Sequence, residues 1–201
     1  MTKLSSNPKV SVIMSVYNAE QTLREAIDSI LKQTYTNWEF VICDDCSSDG
    51  SYAIMQEYEV KYPGKFILLH NTENKRLSHS LNRCLKCASG ELIARMDADD
   101  ISVESRFEKQ VDYLLSHPES MVVGTTMRRF DSNGLHDVVK IPEYPDKNLL
   151  KKGVPFCHAT IMMRKEAYDA VNGYKESNMT IRSQDYDMWF RFYKCGFEGY
   201  N

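Results

Sequence analysis

Three carboxylates stand within four residues at Asp97-Ala98-Asp99-Asp100, directly after the half-apolar run Glu91-Leu92-Ile93-Ala94-Arg95-Met96. Carboxylates this close repel and raise each other's pKa unless a cation or several donors share the site. A hard divalent cation draws oxygens from one or two carboxylates plus substrate phosphates. The same acids also suit the start of the helix expected over residues 103–117, so spacing alone leaves metal binding and capping level. A second polar cluster, Asp44-Asp45-Cys46-Ser47-Ser48-Asp49-Gly50, follows another apolar run and reads either as a ligand loop or as a turn. A third, Gln184-Asp185-Tyr186-Asp187, puts Asp185 at a helix start, where it is either a general base or an acid that merely favours the N-terminal turn. His158 at the end of an expected strand and Arg76 in the polar stretch Asn71 to Ser78 are single residues that carry little positional information.

These clusters need elements that place them together. Residues 9–16 form a β-rich apolar run of the kind buried on both faces of a parallel sheet. Asn18 is expected to cap the following helix, on which Leu23, Ala26, Ile27, Ile30 and Leu31 share a face. Strands are expected at 38–43, 65–70 and 91–96, with helices over 51–62 and 78–89 between them. Alternation at this rhythm predicts a mostly parallel sheet with right-handed crossovers, and puts the Asp44 and Asp97 clusters at carboxyl ends of strands, where open α/β sheets bind ligands. A helix over 103–117 is expected to turn Phe107, Val111, Leu114 and Leu115 inward, before a strand at 121–126. The rhythm then breaks into a hairpin over 127–141 around Asp131-Ser132-Asn133-Gly134 and a short helix at 147–152. A strand over 156–164, a helix to Val171 and a last helix capped by Ser183 follow. Chain end is expected at 196–201 with no tapering tail, as in a piece of a longer protein.

The formal charge of -3 arises from mixed signs along 201 residues, so no basic stripe marks a nucleic-acid surface. No run approaches the roughly 18 apolar residues of a spanning helix, and residues 1–8 hold no hydrophobic signal core. The expected location is cytoplasmic, compatible with peripheral contact at the inner face of the membrane. Cys43 and Cys46, and Cys84 and Cys87, are each spaced CxxC, but residues 47–83 separate the pairs, beyond the usual zinc-ribbon spacing of about 15–20. Buried thiols account for them better.

Four pieces in one order carry a resemblance. Val10-Ser11-Val12-Ile13-Met14-Ser15-Val16-Tyr17-Asn18, the Asp44 to Gly50 loop, Asp97-Ala98-Asp99-Asp100 and Gln184-Asp185-Tyr186-Asp187-Met188-Trp189 together resemble family 2 glycosyltransferases. These are inverting enzymes of the GT-A fold. The resemblance implies an α/β fold class, a GT-A type nucleotide-diphospho-sugar transferase fold with a mostly parallel central sheet, flanking helices and a small hairpin appendage. It implies one catalytic domain over 1–201, with 1–100 as the nucleotide-binding part and 101–201 as the acceptor side.

Carried over by residue, Ser15 and Tyr17 would border the nucleotide, the Tyr17 ring stacking on the base. Asp45 would accept from a base N–H, which fits uracil or thymine. Asp97 would approach the ribose, Asp99 would ligate Mn²⁺ or Mg²⁺, and Asp100 would be a second ligand or a capping group. Arg76 would reach the diphosphate, with a plain surface arginine as the alternative. His158 is a candidate for the metal or acceptor side, with a satisfied polar residue as its alternative. Asp185 would be the catalytic base. The family usually shows Glu-Asp where this chain has Gln184-Asp185, which removes a like charge beside the base. The Gln-x-x-Arg-Trp pattern of processive synthases is absent from these 201 residues, which favours single transfers.

The implied reaction moves a sugar from a UDP-linked donor to a hydroxyl of a glycan or lipid-linked saccharide, in cell-surface polysaccharide synthesis. A sugar-nucleotide-binding module without transfer is the alternative. A nucleotidyltransferase would want a Gly-rich phosphate loop after the first strand, and Ser15-Val16-Tyr17-Asn18-Ala19-Glu20 contains no glycine. Stoichiometric zinc without UDP binding would instead mark a zinc-ribbon module.

Overall fold

Apolar β-branched runs alternating with amphipathic helices build one mixed sheet covered on both faces. The computed structural model describes residues 2–180 and 183–201. Its first half runs β1 (Val10–Val16), α1 (Leu23–Leu31), β2 (Trp38–Asp44), α2 (Ser51–Lys61), β3 (Phe66–His70), α3 (Arg76–Cys87) and β4 (Leu92–Arg95). The second half runs α4 (Arg106–Ser116), β5 (Ser120–Val123), the hairpin β6 (Met127–Asp131) and β7 (Gly134–Val139), then β8 (Met162–Arg164), α5 (Lys165–Ala170), α6 (Gln184–Lys194) and β9 (Glu198–Tyr200).

The central sheet has the order β3-β2-β1-β4-β8-β5-β9. β1 pairs parallel with β2 and β4, β2 with β3, and β5 with β9, while β8 runs antiparallel to both β4 and β5. Strand side chains alternate between faces, so β1 feeds two cores. Val12, Met14 and Val16 join Ile27 and Ile30 of α1 and Phe107 and Leu114 of α4. Ile13 joins Leu81 and Cys84 of α3 and Met188, Trp189 and Phe192 of α6. Full burial of each such side chain contributes about 1.5–3 kcal/mol.

At the amino end of the sheet, Glu39 is buried yet satisfied, accepting from Lys9 Nζ at 2.5 Å, Ser11 Oγ at 2.5 Å and Ser89 N at 2.7 Å. Burial alone would raise its pKa, but Lys9, Ser11 and Ser89 outweigh it and hold the carboxyl below its ordinary value. Gly90, next along, has no room for a side chain: a Cβ would stand 2.5 Å from the Lys9 carbonyl and 2.7 Å from the Ser11 nitrogen.

Several expectations need correction. Asn18 does not cap α1; it has a φ of 50°, and its Oδ1 accepts from Ser48 N at 2.8 Å, so it ties two loops together instead. Thr22 and Ser183 occupy the N-cap positions of α1 and α6 without a side-chain capping bond. Leu115 of α4 is exposed while Phe107, Val111 and Leu114 are buried, a narrower inward stripe than the spacing predicted.

The expected strand over 156–164 is a short 3-10 turn at His158–Thr160 followed by the three-residue β8. Side chains claim its carbonyls: Gln110 Nε2 donates to Thr160 O at 2.9 Å and Arg106 Nη2 to Ile161 O at 3.3 Å. β9 was not expected at all. Cys43 and Cys84, one from each CxxC pair, meet as buried thiols, but Cys46 is half-buried and Cys87 exposed, which corrects the expectation that all four are buried. Among the described residues the four do not gather as a metal cluster. Among the described residues no helix is long and apolar enough to cross a membrane.

Candidate functional site

The parallel strands β1, β2 and β4 end on the same edge of the sheet, which brings the loop after β1 beside two of the polar clusters, Asp44 to Gly50 and Asp97 to Asp100. The loops after them and the first turn of α3 enclose a cleft of about 610 Å³, lined among others by Ser15, Tyr17, Asp45, Arg76, Asp97 and Asp99. All six were picked from sequence for the donor side, from four separate stretches. The lining also includes Gln21, Thr22, Asn74 and Leu77, which sequence reasoning passed over because nothing in their type marks them. A larger hollow of about 770 Å³ between α3, α5 and the turn at 172–176 holds none of the predicted residues.

Each cleft residue is held by its element. Ser15 sits opposite Cys43 in the parallel register of β1 and β2. Tyr17 just beyond β1 is 53% exposed, leaving its ring open to a flat partner. Asn18 N donates to Ser47 Oγ at 3.0 Å, which with the Asn18–Ser48 bond joins the loop after β1 to the loop after β2.

Asp45 is only 2% exposed and is the best-satisfied acid of the site. Its Oδ1 accepts from Asn71 Nδ2 at 2.6 Å and Lys75 N at 2.9 Å, and its Oδ2 from Arg76 N at 2.7 Å. Asp45 thus serves as the anion at the N-terminus of α3, where unpaired amides and the helix dipole favour negative charge. Arg76 begins that helix with a φ of 72°, a left-handed conformation imposed where the chain bends over Asp45.

The acidic loop after β4 is tied to α1 by Thr22 Oγ1, which donates to Ala98 O at 2.9 Å. Two buried guanidiniums underlie it. Arg95 pairs with Asp97 Oδ1 through Nη2 and donates to the Met96 carbonyl through Nη1. Arg106 donates to Arg95 O at 2.8 Å and to Gln110 Oε1 at 3.1 Å. Burial lowers the Arg106 pKa to about 10. Burial also raises that of Asp100, and the neighbouring Asp97 and Asp99 push it the same way.

Asp99 is exposed, and no hydrogen bond or ion pair among the described residues engages its carboxylate. Its free oxygens suit a hard cation. Among the described residues no three His, Cys, Asp or Glu side chains gather as a metal cluster. A hard cation at Asp99 would complete its oxygen set from other groups, bound phosphate and water among them.

The remaining two predicted residues lie elsewhere. His158 does not line the cleft. Its Nε2 is engaged by the Tyr174 hydroxyl at 2.8 Å, its buried Nδ1 has no partner among the described residues, and its ring packs edge-on against Trp189 of α6. Burial, reinforced by Arg95, pushes its pKa down to about 3. Its place outside the lining and its bond to Tyr174 set it apart from the cleft residues around Asp99. Asp185 is half-buried in the first turn of α6 and accepts from Tyr186 N at 2.8 Å; it too lies outside the cleft lining.

Comparison with known proteins follows the same lines. The sequence model described as "Glycosyl transferase family 2" matches residues 11–171. The chain is 48% identical to "Putative glycosyltransferase EpsE" of Bacillus subtilis (strain 168), over 98% of this chain and 71% of that relative. It is 31% identical to "UDP-Glc:alpha-D-GlcNAc-diphosphoundecaprenol beta-1,3-glucosyltransferase WfgD" of Escherichia coli, over 94% of this chain and 74% of that relative.

Among solved structures, the mannosyltransferase PcManGT from Pyrobaculum calidifontis, in complex with GDP-Man and Mn²⁺, superposes with a TM-score of 0.76 at 21% identity, covering 98% of this chain and 55% of that one. S. aureus TarS 1-349 in complex with UDP gives a TM-score of 0.75 at 22% identity, covering 92% of this chain and 55% of that one. The present chain therefore spans about half the length of the solved chains it matches.

Proposed function

The chain belongs to glycosyl transferase family 2, and on that premise we propose that it moves a sugar from a UDP-linked donor to a saccharide hydroxyl, with inversion and with help from a divalent cation. The observation that carries this is the convergence of Ser15, Tyr17, Asp45, Arg76, Asp97 and Asp99 on one cleft at the carboxyl edge of the sheet. That is where open α/β sheets take ligands.

In this reading Tyr17 stacks on the base, and Asp45, whose three internal donors leave one acceptor direction open, takes a base N–H. Asp97 accepts from the ribose, and Arg76 faces the diphosphate. Asp99 holds Mn²⁺ or Mg²⁺, which when bound neutralises charge on the departing diphosphate. Asp185 removes the proton from the acceptor hydroxyl as that oxygen attacks the anomeric carbon. Gln184 beside it adds no second charge. His158 packs beneath the site.

Residues 1–100 supply the donor side and 101–201 the acceptor side of one catalytic domain. The cleft residues all falling between Ser15 and Asp99 support that division. The UDP named with TarS and the UDP-Glc named with WfgD support the donor class, and the Mn²⁺ named with PcManGT supports the cation. The diphosphoundecaprenol in the WfgD name supports a lipid-linked acceptor; polysaccharide assembly at the inner face of the membrane is the setting we propose for it.

Calorimetric titration of UDP with Mn²⁺, with EDTA, and into Asp99→Ala tests the donor side. Binding that needs both the cation and Asp99 is expected; no binding of UDP or any other nucleotide would overturn the reading. A second reading, a sugar-nucleotide binder without transfer, draws on the place of Asp185 outside the cleft lining. Asp185→Asn separates the two: loss of turnover by about 10²–10⁴ with UDP affinity unchanged supports transfer.

A further inference from the structure

An arginine ends the otherwise apolar strand Leu92-Ile93-Ala94-Arg95, and it is 1% exposed. A buried guanidinium needs partners. Those of Arg95 are the Asp97 carboxylate and the Met96 carbonyl. Tyr174 lies against it, and the Tyr174 hydroxyl in turn meets His158 Nε2 at 2.8 Å and Tyr168 at 3.2 Å. Among the described residues Asp97 is the one carboxylate in an ion pair with this guanidinium, while Asp100 stands near enough to feel its charge. Asp97 is 38% exposed along its side chain, with one oxygen turned inward to Arg95. Asp99 is exposed and, among the described residues, unengaged, and Asp100 is not part of the cleft lining.

We propose that Arg95 is a positioning residue that reserves Asp97 for the donor nucleotide, so that the acidic loop captures a divalent cation only together with the diphosphate. This rests on the donor-site reading above. A metal that recruited Asp97 would leave a buried cation short of its counter-charge, a costly arrangement. The loop therefore presents one unpaired carboxylate to the cleft. One carboxylate is a weak site for a hard cation that seeks six or more oxygens, and diphosphate oxygens make up the set. The same ion pair holds the Asp97 carboxylate in a single orientation for a hydroxyl donor. Through Tyr174, His158 and Trp189 it connects to α6, the element that carries Asp185.

The test is a titration of Mn²⁺ followed by the electron paramagnetic resonance signal of free Mn²⁺, with and without UDP, on wild type, Asp97→Asn, Arg95→Met and Arg95→Lys. Wild type should bind Mn²⁺ weakly alone and at least roughly tenfold more tightly with UDP. Asp97→Asn should leave the affinity for Mn²⁺ alone unchanged and weaken UDP binding, because Asn still accepts from Arg95 but serves the ribose less well. Arg95→Met should free Asp97, tightening Mn²⁺ alone by roughly tenfold while weakening UDP. Arg95→Lys should return both values toward wild type.

Tight Mn²⁺ binding by wild type without nucleotide, or weaker Mn²⁺ binding in Asp97→Asn, would overturn the proposal while leaving the donor reading intact. Failure of wild type to bind UDP at all would overturn the donor reading and this proposal with it. Should Arg95→Met not fold, the Asp97→Asn comparison alone decides.

Discussion

Replacing Asp45 with Asn exposes the double duty of that residue. Its carboxylate accepts three N–H groups at 2.6, 2.9 and 2.7 Å, from Asn71, Lys75 and Arg76. An amide has one acceptor oxygen. Left against the two donors on the Oδ1 side, it puts its NH₂ against Arg76 N–H, so one charge-assisted bond is lost and a buried donor goes unpaired. Such a loss costs about 1.5–3 kcal/mol. For a chain of this size each kcal/mol lowers the melting temperature by about 2–4 °C, so a fall of roughly 3–12 °C is expected.

Thermal unfolding followed by circular dichroism measures the fall. Amide exchange at Lys75 and Arg76 should accelerate in the variant, because these are the amides the carboxylate holds. UDP affinity should drop as well, since Arg76 and Leu77 line the cleft from the helix that Asp45 anchors. A variant that melts with wild type and keeps its amide protection, yet no longer binds UDP, would refute the anchoring role.

Gly90→Ala should destabilise by about 1–3 kcal/mol, because the new methyl would meet main chain rather than a movable side chain; an unchanged urea midpoint would contradict the packing described. Glu39, held below its ordinary carboxyl pKa, contributes stability that is present above the unfolded value of about 4.3 and lost as pH falls through the folded one. Glu39→Gln should therefore flatten the acid limb of a stability–pH profile taken by urea unfolding from about pH 6 to 3. His158 has the depressed pKa of a buried neutral imidazole, about 3 against an ordinary 6.5, so its contribution is full above pH 6.5 and declines as the pH falls toward 3. Its ring proton resonances should keep their neutral positions at pH 5, where an accessible histidine would already be charged.

Much was legible because it is local. The strand runs at β1 to β4, the α1 stripe of Leu23, Ala26, Ile27 and Ile30, and the hairpin around Asn133-Gly134 follow from periodicity and turn chemistry, which adjacent residues carry. The Asp45 and Asp97 loops were recognisable for a related reason: polar clusters at the ends of buried strands interrupt an otherwise apolar pattern. The antiparallel placing of β8 between β4 and β5, and the return of β9 onto β5, were not legible, because a three-residue strand has no period of its own and its pairing is decided by residues far along the chain.

The same holds for the site's inner layer. Arg95 is the one charged residue of β4 and its partner Asp97 stands two positions on, signals that were present in the sequence, but its burial depends on Tyr174 and His158 arriving from the second half. His158 read as a ligand because an imidazole can be one, and the fold closed it behind Tyr174 and Trp189. Residue type and spacing alone determined which groups could do chemistry and roughly which elements bear them. Tertiary structure decided which carboxylates remain free, because an ion pair with a buried guanidinium is a contact between side chains whose surroundings are assembled only when the two halves of the chain pack together.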